Sequence, residues 1–405
     1  MKSAEITSIK EYKDYFGPCN FTLIITHMNR LDFLERLLGS QNFPFNVLIA
    51  DASQNELHER INSIILRNIS NFKTSISCIF FKAKSDLALT ISTAAELVKT
   101  DYCALVSEDD LVDGVKLQQF TELLDLQPEL SVVIGKFIYF KTFKDNSSSK
   151  IRMFETTSMC KNSYLQETIE DRFVALSTAF PKDSGLTTFG VMRSSLLAKS
   201  WHQSTKSRFQ LNHKMSEVLA SHIAIASGKI LVVDEIFCYR QMHSTNNASI
   251  AATRYTDNQN FISKPKPSKF EDWEASGVSN QIIGAGESLC EFINDNYTKD
   301  FSSVIKIAYT KIWPIEIAQS LDKTTNRVIS KLEKQSLIKS SKINMRTFIF
   351  SSAQNKKSVN LFRSVLFYFA YKRLYLRNLL KLNTSSRKSL KNLRSQLKSS
   401  DVYLS

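Results

Sequence analysis

Four short apolar runs separated by stretches of helical spacing constrain this chain more than any other feature. The runs are residues 21–25, 47–50, 77–81 and 102–106. A strand of four to six mostly apolar residues has no polar face to turn to water, so it belongs in a sheet covered on both sides. Between the runs lie 31–38, with Leu34, Leu37 and Leu38 on one helical stripe, then 56–67 and 88–98. Strands joined by helices predict a mostly parallel sheet flanked by those helices, an α/β fold of Rossmann-like kind.

The pattern then loosens. Residues 132–134 and 137–140 read as strands, 144–150 as a loop, and 163–179 as a helix. A strand follows at 189–192, then a helix at 215–227 closed by Gly228, a strand at 230–233 and, after a turn, the segment 238–240. Ser263-Lys-Pro-Lys-Pro-Ser268 has the composition of a linker. Beyond it, 282–294, 301–321, 326–337 and 358–382 carry spaced apolar positions, with Pro314 as a kink. The expected organisation is one domain over 1–262, a linker over 263–275, and an α-helical region over 276–405.

Charge is unevenly spread. From Lys356 onward there are 12 basic residues and one acid, Asp401, so the tail supplies +11 of a net +14. The near-neutral remainder argues against a nucleic-acid-binding body. Within 358–398, Leu361, Phe362, Val365, Leu366, Phe369 and Leu376 alternate with Arg363, Lys372, Arg373 and Arg377. This suits either a basic amphipathic helix on an anionic membrane surface or a helix packed on the main domain. The six cysteines are dispersed with no C-x-x-C pair, the amino-terminal segment has no apolar signal core, and no run reaches the ~18 apolar residues of a membrane span. The expected location is cytoplasmic, with a peripheral place on the inner membrane face if the tail binds lipid.

Carboxylates cluster where strands end. Glu108-Asp109-Asp110 directly follows the run 102–106, and Asp51 and Asp86 follow the second and third runs. In open α/β sheets ligands bind beyond the carboxyl ends of strands. Like charges placed together are costly unless a cation sits among them, and Mg²⁺ or Mn²⁺ prefers carboxylate oxygen. Each acid alone is equally a turn former. Lys82 and Lys84 stand nearby, and His27 reads as a hydrogen-bonded core or rim histidine.

With these motifs the sequence resembles the family-2, inverting, nucleotide-sugar-dependent glycosyltransferases of the GT-A fold, in a divergent bacterial form, over roughly residues 20–240. Ile24-Ile25-Thr26-His27-Met28-Asn29-Arg30 stands where that family has a strand and a Pro-Thr-Tyr-Asn-Arg type turn. Leu48-Ile49-Ala50-Asp51-Ala52-Ser53 matches its second strand and Asp-Asp-Gly-Ser turn, and Val106-Ser107-Glu108-Asp109-Asp110 its D-x-D motif. Ser216-Glu217, eleven residues before Gly228, matches its Glu-Asp pair. Ser107 replaces the first Asp of D-x-D, Ala50 and Ala52 replace Asp and Gly in the second turn, and Glu217 stands where Asp is usual.

The resemblance implies a nucleotide-sugar donor bound by Asn29, Arg30, Asp51 and Glu108, and Asp86, placed by its position after the third run, is expected to line the same donor edge. It implies Mn²⁺ or Mg²⁺ held by Asp109 with Asp110, and Glu217 as the base that deprotonates a glycan or lipid-linked acceptor. Two other readings stay open on the residues alone: a nucleotidyltransferase on the same sheet, and a non-catalytic nucleotide-binding scaffold.

Overall fold

A computed structural model describes residues 4–14, 19–40, 42–145, 148–155, 160–179, 186–207, 211, 213–241 and 278–297. At its centre four strands lie in the order β4 (Ile76–Phe81), β3 (Asn46–Asp51), β2 (Phe21–His27), β5 (Tyr102–Ser107), all parallel. Every residue of β3 is buried, and so are all of β2 but Thr26. That accounts for runs without polar alternation. The intervening helices are α1 (Leu31–Ser40), α2 (His58–Arg67) and α3 (Leu87–Glu96), as the spacing predicts. Register sets the ligand edge: His27 pairs with Asp51, and Thr26 with Ser107, so β2, β3 and β5 end at one level.

The sheet continues through β9 (Val191–Arg193), antiparallel to β5, to β7 (Leu130–Asp145), β10 (Lys229–Gln241) and the two-residue β6 (Leu111–Val112). β7 and β10 are parallel to each other and, across β9, to β5. Their carboxyl ends therefore fall on the same edge as those of β2 and β3. β8 (Ser148–Glu155) returns along β7 as a hairpin, where the sequence reading has a loop at 144–150. The two strands expected at 132–134 and 137–140 are one strand, continuous through Gly135. A side chain there would run into the Glu235 carbonyl oxygen, so only glycine lets β10 lie this close.

β1 (Ile6–Lys13) closes the far edge, antiparallel to β4. It is mostly exposed and polar, with none of the apolar patterning that marks a buried strand. α4 (Gly114–Leu126) lies against β7, β9 and β10, while α6 (Ser194–Thr205) packs on α3 and on α7 (His213–Ser227). α5 (Ile169–Ala179) starts later than the expected 163, because Tyr164 instead bridges to Ile230. α8 (Val278–Asn296) packs on α6 and α7. Trp201 is buried at 1% exposure and donates to Thr188 Oγ1 at 2.9 Å, a packing role. The linker at 263–275, the helices expected after 301 and the basic tail over 358–398 lie outside the described residues. Among those described, no helix is long and apolar enough to cross a membrane. None of the six cysteines is disulfide-bonded.

Candidate active site

The turn after β2 builds the first wall. Asn29 adopts φ 63°, a left-handed conformation that Asn tolerates better than most side chains. Its N–H donates to Ser53 Oγ at 2.8 Å, and its Oδ1 accepts from Gln54 N at 3.0 Å. The loops after β2 and β3 are thereby tied together. Arg30 follows at once and faces the acidic turn: Nη2 donates to Asp109 Oδ2 at 2.8 Å, and Nη1 lies 3.6 Å from Glu108 Oε1. Its guanidinium rests 4.2 Å from the Phe33 ring centre.

Residues 108–110 turn tightly, with Glu108 N donating to Thr26 O and Asp110 N to Ser107 O. All three acids are buried. Burial raises the Glu108 carboxyl above its ordinary range, Asp109 adds to the rise, and Arg30 opposes it. Burial pushes Asp110 up to about 7, against the pull of Arg240. Asp110 Oδ2 lies 3.2 Å from Arg240 Nε, and its Oδ1 accepts from Gln241 N at 3.1 Å. Arg240 itself spreads over Phe189 at 4.5 Å. Burial opposes its charge, but Asp110, Tyr139 and Glu217 outweigh that and hold its pKa above the ordinary arginine value.

A third arginine sits behind the turn. Arg36, on α1 and 2% exposed, donates from Nη2 to Asp109 O at 2.7 Å and from Nη1 to Gln241 Oε1. Burial lowers its pKa to about 10, with Asp109 and Asp110 resisting the fall. No sequence signal marks Arg36: it lies on α1 among leucines, and only the fold shows what it holds.

Asp51 is fully buried. Its Oδ1 lies 2.6 Å from His27 Nδ1 and accepts from Ser53 Oγ at 2.5 Å. Its Oδ2 has no hydrogen-bond partner and stands 3.7 Å from His58 Nε2. The acid on which the resemblance places a nucleoside contact thus keeps one oxygen without a hydrogen bond, and that oxygen is closed to solvent. His27 is the hydrogen-bonded histidine expected, while His58 and Ser53 are partners the sequence reading does not name.

Asp86 is exposed and caps α3, its Oδ1 accepting from Ala88 N at 2.9 Å and Leu89 N at 3.1 Å. Lys82 pairs with Glu5 at 2.8 Å, away from the acidic turn. Glu217 lies half-buried on α7, beyond that helix's first turn, so it does not serve as a first-turn acid. Its charge acts on both Arg240 and Tyr139, which pair across β10 and β7. The edge therefore joins Asn29, Arg30, Glu108, Asp109, Asp110 and Arg240, with Glu217 within electrostatic reach. A cavity of about 520 Å³ opens elsewhere, lined by Cys19, Asn20, Lys73, Tyr102, Glu122 and Asp125, and none of the acids expected to act lines it.

A divalent cation at Asp109 and Asp110 needs several oxygens converging on one point. Asp109 is engaged by Arg30 and Asp110 by Arg240, and among the described residues no three His, Cys, Asp or Glu side chains form a group able to hold a metal. As arranged, the donor set does not fit the ion.

No protein-family model matches the chain, and no curated protein matches it. Among solved structures it is similar to S. aureus TarS 1–349 in complex with UDP-GlcNAc, at 16% identity over 78% of this chain and 91% of that one, with a TM-score of 0.42. It is also similar to the mannosyltransferase PcManGT from Pyrobaculum calidifontis in complex with GDP-Man and Mn²⁺, at 11% identity over 92% and 90% of the two chains, with a TM-score of 0.40. Likenesses at that level assign this chain neither an activity, a substrate nor a residue role.

Proposed function

We propose that this chain is an inverting glycosyltransferase of the GT-A type that moves a sugar from a nucleoside-diphosphate donor to a polysaccharide or lipid-linked acceptor. The observation that carries the reading is the meeting of Arg30 with the acids at 108–110, beside Arg240 and within reach of Glu217, at the carboxyl edge of a parallel sheet. Asn29 and Asp51 mark the nucleoside end; Asp86 and Glu108 are the remaining donor-side acids.

In transfer, the bond from the anomeric carbon to the diphosphate oxygen breaks and its electron pair stays on the diphosphate. The sugar passes through an oxocarbenium-like state. Guanidinium groups at the edge offset the charge that gathers on the leaving group. Glu217 takes the proton of the acceptor hydroxyl, whose oxygen forms the new bond on the opposite face, which inverts the configuration. No step runs through a divalent cation, because the carboxylates that would hold one are paired with arginines. The acceptor, the cytoplasmic setting and a membrane-facing role for 358–398 belong to the same proposal.

A panel of UDP-, GDP- and CDP-sugars, with products detected by mass, tests it. One donor should be hydrolysed or transferred, and Glu217→Gln should lower turnover by about 10²–10⁴-fold, the usual contribution of a general base. Pyrophosphate release from a nucleoside triphosphate would point to nucleotidyl transfer instead. Inertness toward every donor would leave a scaffold.

A further inference from the structure

We infer that Arg30 takes the part of the divalent cation: it neutralises the diphosphate of the bound nucleotide directly, so that nucleotide binding needs no added metal ion. This rests on the glycosyltransferase reading above and assigns the residue that holds the donor's charge.

Charge balance is the first support. Three carboxylates at 108–110 are surrounded by three guanidinium groups, Arg30, Arg36 and Arg240, drawn from the β2–α1 turn, from α1 and from β10. Glu108 and Asp109 face Arg30 and Asp110 faces Arg240, so each side-chain carboxylate of the turn already has a cationic neighbour where a dication would sit. Geometry is the second. Arg30 spans two neighbouring carboxylates, reaching Asp109 with one nitrogen and lying toward Glu108 with the other, which is where a bridging ion would be wanted. The third is the chemistry of the fork: a guanidinium presents parallel N–H donors that match phosphate as well as carboxylate. Exchange of Asp109 for a phosphate oxygen costs Arg30 no hydrogen bond but takes the guanidinium from the buried Asp109 carboxylate beside the phosphate, a penalty that Asp109→Asn removes. The turn survives the exchange, because Arg36 holds the Asp109 carbonyl and Arg240 holds Asp110.

Calorimetric titration of the full chain with UDP, GDP and CDP, in EDTA and again in MnCl₂, tests this. One nucleotide should bind with similar affinity in both. Asp109→Asn leaves Arg30 to the diphosphate and should keep or tighten binding in both buffers, whereas the loss of a metal ligand at that position would weaken binding in MnCl₂. Adding Arg30→Gln to Asp109→Asn keeps the buried charges balanced, so the fold is spared. That double variant should lose roughly tenfold or more in affinity, the worth of a charge-assisted hydrogen bond. Binding seen only with Mn²⁺, or an unchanged affinity in the double variant, overturns the inference and leaves the glycosyltransferase reading standing. No binding of any nucleotide in either buffer overturns both.

Discussion

Asp110 shows how one residue's chemistry depends on its enclosure. Burial moves its carboxyl from an ordinary 3.8 up to about 7, while Arg240 and the Gln241 N–H resist. A carboxyl with a raised folded pKa binds its proton more tightly in the native state than in the unfolded chain. Its contribution to stability is therefore fully present below about 3.8 and is lost as pH rises through about 7. Asp110→Asn has no such titration. The wild-type melting temperature should fall relative to that of Asp110→Asn between pH 4.5 and pH 7.5 (about the span of the two pKa values), measured by thermal melts at each pH. A flat difference would mean that Arg240 keeps the acid ionised throughout. The acidic triplet was plain in the sequence, but its partners were not. Arg30 is one residue past a recognisable turn, whereas Arg36 and Gln241 approach from elements 73 residues before and 131 residues after the acids they hold.

At the scale of elements, the turn between β2 and α1 fixes where Arg30 points. Asn29 contributes both a left-handed backbone and a side-chain bond to Gln54 N. Asn29→Ala loses both and should cost about 1–2 kcal/mol for the left-handed strain, plus about 0.5–1.5 kcal/mol for the bond. Asn29→Gly should lose only the bond, and urea denaturation of the two variants separates these parts. Elements with a one-sided or fully apolar signature, β2 to β5 and α1 to α3, were legible in the sequence. β1 was not, because an exposed edge strand has no need of apolar alternation. α6 escaped because it is buried through Ser200, Gln203 and Ser204 as well as through Leu197 and Trp201, which blurs its apolar stripe. Asp86 reads equally as a ligand contact or a turn former by sequence, and only the structure shows its Oδ1 capping α3.

For the whole molecule, the site exists because two halves of the sheet meet. β2, β3 and β5 bring Arg30, Asp51 and the acidic turn, while β10 brings Arg240 and Gln241 only because it lies tightly along β7. Gly135 permits that approach, since an added Cβ would also stand 3.0 Å from the Phe237 ring. Gly135→Ala should destabilise by about 1–3 kcal/mol through overpacking, read from the denaturation midpoint, and should weaken UDP, GDP or CDP binding as Arg240 shifts. Unchanged stability would show that the β7–β10 pairing is looser than its register implies. The sequence by itself determined the buried parallel strands, the helices between them, and the acids at the strand ends, because period and composition are local properties. Tertiary structure decided which charges meet. An arginine's partner is set by the level at which distant strands stop, and no local pattern records that.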